Sequence, residues 1–163
     1  MVVVTLVAVL SAIAVPSFRD LLLNQRLAAS TSEFVAALST ARAEALKRSQ
    51  TVTLTPRTVN DWNSGWEVRS TIDGAATTLR AFDPLPRGVT VDPDLGNALG
   101  GKLGYDANGF SRKGDAYQMG CIAFKAETGR RSAVVVSASG RPRVCDPDKK
   151  GDCASSQCNA AGS

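Results

Sequence analysis

Histidine is absent from the chain, and with it go the Ser-His-Asp and Cys-His arrangements of nucleophilic catalysis. No Gly-x-x-x-x-Gly-Lys-Ser/Thr stretch offers a phosphate-binding loop. Close cysteine pairs of the C-x-x-C kind are also missing, so the usual ligand sets of structural zinc have no counterpart here. The carboxylate pairs Asp92/Asp94 and Asp146/Asp148 lie in proline-containing loops, with no apolar stretch beside them to form a pocket for acid–base work. No enzymatic activity, metal or cofactor is expected.

Charge is lacking at the start. Nothing ionisable precedes Arg19, and residues 1–18 are almost wholly apolar. Eighteen helical residues would extend roughly 27 Å, close to the hydrocarbon thickness of a bilayer. A secretory signal would carry a basic n-region, which this segment lacks. Residues 1–18 are therefore expected to be a retained transmembrane segment in the inner membrane, with the remainder of the chain in the periplasm. Cysteine is missing from the first two thirds and then appears four times, at Cys121, Cys145, Cys153 and Cys158. An even count in an exported chain implies two disulfides, with three connectivities open.

Glycine and proline are absent between Arg19 and Gln50. There Leu23, Leu27, Phe34, Leu38, Ala41 and Ala45 recur at helical spacing, with Arg26, Glu33, Arg42, Glu44, Lys47 and Arg48 on the other side. An amphipathic helix over 19–50 is expected, continuous with the apolar run. Beyond it Thr51–Thr55 alternates with period two and meets Pro56. Further strands are expected over 65–72, 77–82, 88–91, 118–125, 132–137 and 141–145. Asn63-Ser64-Gly65, Asp73-Gly74, Asn108-Gly109 and Ser139-Gly140 supply turn chemistry between them, and 92–104 is expected to be a loop. The fold class is α+β: one helix laid on antiparallel sheet over residues 51–145, with 146–163 a disulfide-tethered tail.

The run Met1-Val2-Val3-Val4 to Pro16-Ser17-Phe18, the helix residues Arg26-Leu27, Phe34-Val35, Ala41-Arg42, Glu44-Ala45 and Lys47-Arg48, the strand Gly65-Trp66-Glu67-Val68 and the element Gly140-Arg141-Pro142-Arg143 resemble the GspH/FimT family of type IV minor pilins and pseudopilins, in its FimT branch. The resemblance covers nearly the whole chain in order. It implies a type IV pilin-like fold, assembly with other pilins through the N-terminal helix, and incorporation into a pilus. The family's leader, cleavage site and early glutamate would all precede Met1, because the sequence begins inside the apolar helix. An in-frame leader ending in glycine before Phe-Thr-Leu-Ile-Glu in the coding DNA upstream of Met1 would settle the family.

The cations point to a polyanion. Between Lys102 and Arg143 eight basic residues face three acidic ones, a local excess of +5 against +4 for the whole chain. Such a patch attracts phosphate with little sequence preference. Arg141 and Arg143 are two apart, so in an extended segment both project from one face. Planar guanidiniums hold phosphate oxygens in bidentate fashion. Gly140 permits positive φ and close approach by a ligand, and Pro142 stiffens the segment. FimT-branch proteins bind DNA through this element during natural transformation, and the resemblance implies non-specific binding of double-stranded DNA at Gly140, Arg141 and Arg143. Arg130 and Arg131, in the neighbouring turn, and Lys102 and Lys113, flanking the glycine-rich loop, would widen the patch. Trp62 and Trp66 offer base-stacking surfaces, although packing in the core suits their strand context better. The alternative is a structural subunit of the pilus tip or secretion pseudopilus, in which the same arginines merely solvate an edge strand.

Overall fold

The computed structural model describes residues 2–72, 75–95, 97–153 and 158, with side chains from Ser17 onward. Helix α1 runs Val2–Arg48. The apolar run at 1–18 thus lies almost wholly outside the described side chains, and among the described residues no helix is long and apolar enough to cross a membrane. Every member of the expected apolar stripe is buried: Leu23, Leu27, Phe34, Leu38, Ala41 and Ala45. Across the helix Glu44 accepts from Arg48 Nε at 2.7 Å, the i,i+4 pair visible in the sequence, and this contact holds the Glu44 carboxyl below its ordinary range. Lys47 and Arg48 in the last turn complement the negative end of the helix dipole. The helix closes without glycine. Ser49 takes φ 51°, its N–H donates to the Leu46 carbonyl, and the Gln50 N–H reaches back to Ala45, which together make a Schellman closure.

Ten strands follow among the described residues: β1 Val52–Thr58, β2 Asp61–Ile72, β3 Ala75–Ala81, β4 Val89–Val91, β5 Leu103–Tyr105, β6 Ser111–Lys113, β7 Ala116–Tyr117, β8 Gly120–Ala126, β9 Arg131–Val136 and β10 Pro142–Cys145. They form two antiparallel sheets, one ordered β3-β2-β1-β5-β6-β7 and the other β10-β9-β8-β4. From Leu27 onward α1 packs against both. Phe34 is the pin, its ring meeting Trp62, Trp66 and Phe124 edge-on at centroid distances of 5.5, 5.1 and 5.6 Å. Both tryptophans are fully buried and belong to this core.

Three local expectations give way to longer-range effects. Pro56 does not end β1, which continues to Thr58. β5 pairs only with Val52–Leu54, so the side of β1 near Pro56 has no neighbour that needs the missing N–H. Asn63-Ser64-Gly65 lies inside β2 rather than forming a turn. Gly65 takes φ 87° there, and a Cβ at that position would stand 2.6 Å from the Phe82 carbonyl oxygen, so glycine lets the strand pass where another residue would collide. The segment 92–104 is not all loop: Leu103–Tyr105 is a buried strand, and Asn97 bridges to Ile122. The Asp73-Gly74 turn lies outside the described residues, although Ile72 pairs with Ala75 on either side of it.

The smaller sheet is covered twice. Its inner face meets α1, while Cys121, Ala123, Ala133 and Cys145 on its outer face pack with Cys153 and Cys158. The disulfides join Cys121 to Cys158 and Cys145 to Cys153, closing the connectivity that sequence left open. Strand β8 accordingly shows an almost unbroken buried run instead of alternation.

Candidate nucleic-acid interface

The turn joining β9 to β10 is built by Ser137 and Gly140. The Ser137 N–H donates to the Arg141 carbonyl at 3.3 Å and the Gly140 N–H to the Ser137 carbonyl at 2.8 Å, the tight hairpin that Ser139-Gly140 foretold. Gly140 takes φ 75° and is buried. A Cβ there would run into the Gly109 carbonyl oxygen and come within 2.8 Å of the Tyr105 ring. The glycine therefore serves a close approach by the protein's own backbone, and its burial leaves no room for the ligand contact expected of it. Gly140→Ala is expected to lower stability by about 2 kcal/mol, through the left-handed backbone and the clash, read as a shift in the urea midpoint.

From this turn Arg141 extends into solvent, with no side-chain hydrogen bond or ion pair among the described residues. Arg143 lies further along on β10, an edge strand, exposed and opposite Val135. Its Nη2 donates to the Asp152 carbonyl at 2.8 Å, so the disulfide-closed segment after Cys145 steadies it without neutralising its charge. Among the described residues neither guanidinium meets a carboxylate.

Arg131 has a different role. Its Nε donates to Asp92 at 2.7 Å, Nη2 to Asp94 at 2.9 Å and Nη1 to Asp148 at 3.1 Å. The Asp148 and Asp92 contacts raise its already high pKa further. Lys125 also donates to Asp94 at 3.0 Å, and that contact, ahead of Arg131, holds the Asp94 carboxyl below its ordinary range. This cluster joins β9, the segment after β4 and the C-terminal tail. Arg130 is exposed beside it, at the far end of β9 from Arg141; a strand of six residues puts about 20 Å between those ends. Of the two expected to widen the patch, Arg131 is committed to carboxylates, while Arg130 stays exposed and lines a hollow with Asp152, whose carbonyl takes Arg143.

Lys102 and Lys113 are exposed and line a shallow hollow on the larger sheet with Thr53, Gly104, Arg112 and Asp115. Arg112 Nε donates to Asp106 at 2.9 Å. Burial works against ionisation of Asp106, but Arg112 and the backbone N–H groups of Phe110 and Asn108 outweigh it and lower its pKa. This hollow and the Arg141 turn are neighbours, because the Ser111 N–H donates to the Ala138 carbonyl at 3.2 Å. The structure thus brings Lys102 and Lys113 into one hollow beside the Arg141 turn, while Arg143 reaches toward Asp152, which lines a hollow with Arg130.

Asp94 and Asp106 both have folded pKa values below the unfolded value of 3.8, so each stabilises the fold above that value. As pH falls through about 4 and below, protonation of the folded chain removes this contribution. A thermal midpoint held between pH 7 and pH 5 and dropping below about pH 4 is expected, with Asp94→Asn flattening the acid limb.

Sequence reasoning passed over Phe110 and Tyr117, an exposed edge-to-face pair 5.8 Å apart, with Arg112 4.1 Å over the tyrosine ring. The signal was weak, since strands of three and two residues leave little alternation to detect.

No curated relative matches the chain. Solved structures do. The type IV minor pilin FimU of Pseudomonas aeruginosa superposes with TM-score 0.64 at 20% identity, over 80% of this chain and 96% of that one. A second crystal form of FimU gives 0.61 at 21% identity, over 78% and 99%. The minor pseudopilin EpsH from the type 2 secretion system of Vibrio cholerae gives 0.56 at 14%, over 76% and 99%. At these identities the likeness is one of fold, a long helix on antiparallel sheet. Residues 30–140 match the family described as Type II transport protein GspH. With more than half its length so matched and the pilin fold around it, the chain belongs to the GspH family.

Proposed function

We propose that the chain is a minor pilin that binds double-stranded DNA without sequence preference, for uptake in natural transformation. The observation that carries this reading is the pair Arg141 and Arg143: both are exposed, both lie on the β9–β10 hairpin, and neither is paired with a carboxylate. Pairing would have spent their charge; exposure leaves it for phosphate oxygens. Lys113 and Lys102 add to the field from the adjacent sheet. Residues 1–18 anchor the chain in the inner membrane before assembly, and the helix then packs with other pilins in the fibre while the β-domain faces outward. A structural tip or pseudopilus subunit is the second reading. It is favoured by Gly140, whose conformation is explained without any ligand.

The test is fluorescence anisotropy of the full chain in nonionic detergent with labelled duplexes of unrelated sequence. Equal affinities that fall linearly in log–log form as salt rises are expected. No binding at low salt would leave the structural subunit.

A further inference from the structure

Most aromatic residues described are buried; Phe18 on the helix, at 62%, and the pair Phe110 and Tyr117 on the sheet are exposed. Trp62, Trp66, Phe34, Phe124 and Tyr105 are buried, whereas Phe110 is 38% and Tyr117 55% exposed, and Met119 beside them is 69% exposed. Tyr117 pairs with Arg112 across β6 and β7, so the two share a face, and Met119 lies two residues further on. Arg112 rests over the tyrosine ring and is itself held by Asp106 and by the Asp115 carbonyl, so the ring is fixed from one side while more than half of it still reaches solvent. A surface aromatic kept rigid in this way loses little entropy when something flat stacks upon it.

Charge selects the occupant. Asp106 compensates Arg112, but Lys113 is the next residue along, Lys102 lines the same hollow, and both are exposed without a carboxylate partner among the described residues. On the other side the Ser137–Gly140 turn sits against Gly109, so Arg141 leaves the fold close to Phe110. Exposed rings against Arg112, whose hollow Lys102 and Lys113 also line, suit a ligand with π-faces and a regularly spaced anionic backbone. Duplex DNA hides its base faces, and a single strand presents them.

We infer that Phe110 and Tyr117 form a stacking platform that gives this chain a preference for unpaired bases, so that single-stranded DNA, or a frayed duplex end, binds more tightly than phosphate contacts alone allow. The inference rests on the DNA-binding reading above and specifies how the same end of the molecule discriminates.

The full chain in nonionic detergent is titrated into labelled oligothymidylate, an abasic oligomer of equal length and a blunt duplex. Oligothymidylate is expected to bind roughly tenfold or more tightly than the abasic oligomer. Tyr117→Ala and, separately, Phe110→Ala should each cost roughly five- to a hundredfold on oligothymidylate and nothing on the abasic oligomer, while Tyr117→Phe keeps the preference. Equal affinity for the oligothymidylate and abasic strands, or an oligothymidylate affinity untouched by both alanine variants, overturns the stacking platform and leaves phosphate binding standing. Failure of all three probes to bind at low salt overturns the DNA reading along with it.

Discussion

Arg131→Ala is expected to destabilise the fold by about 3 kcal/mol, as a drop in the urea midpoint with unchanged slope. Asp92 is fully buried, 0% exposed, and Arg131 is its charged partner at 2.7 Å. Removing the guanidinium strands a carboxylate out of water, and the cost of that exceeds the worth of the pair itself. At 21% exposure Arg131 admits some solvent to the site, which keeps the loss toward the lower end for buried pairs. The same change releases Asp148, which lies inside the segment that Cys145–Cys153 closes, so that segment should lose hydrogen-exchange protection although the disulfide still holds its ends. A double variant, Arg131→Met with Asp92→Asn, should recover part of the loss because no buried charge remains. If Arg131→Ala left the midpoint in place, the cluster would be a surface ornament and not a tie between sheet and tail.

The helix was legible to within two residues at its end, because an apolar stripe from Leu23 to Ala45 leaves a helical periodicity. The strands β8 and β9 and the pairing of β9 with β10 were legible for a similar reason: each strand is apolar or β-branched, and Ser139-Gly140 marks the turn into β10. Pro56 and Gly65 misled because their meaning depends on neighbours remote in sequence. One is tolerated where β5 has stopped, and the other is demanded by the Phe82 carbonyl. Strands β6 and β7 were too short to register. Within the site, the spacing of Arg141 and Arg143 located two exposed cations, but the fate of each basic residue turned on tertiary partners. Arg131 differs from Arg130 only in facing Asp92, and no local pattern announces that.

Replacing Arg141 and Arg143 together by glutamine should therefore remove most of the affinity for duplex DNA, roughly tenfold for each arginine, while leaving the urea midpoint within about 0.5 kcal/mol of the parent. Both side chains are exposed, and the one hydrogen bond at stake runs from Arg143 to the Asp152 carbonyl, so little of the fold depends on them. Glutamine keeps length and polarity and deletes only charge. Arg130→Gln, about 20 Å from Arg141 along β9 but lining one hollow with the Asp152 that Arg143 contacts, should cost less than either arginine.

The deciding measurement is the slope of log affinity against log salt for the full chain and for the Arg141→Gln/Arg143→Gln variant on one duplex. Each phosphate that loses its cation takes away about one unit of slope, so the variant should show a line shallower by about two units, displaced to weaker binding, on a protein that melts as before. Two superimposed lines would mean that these guanidiniums meet no phosphate, and the basic hairpin would then be no more than the solvated edge of a structural pilin.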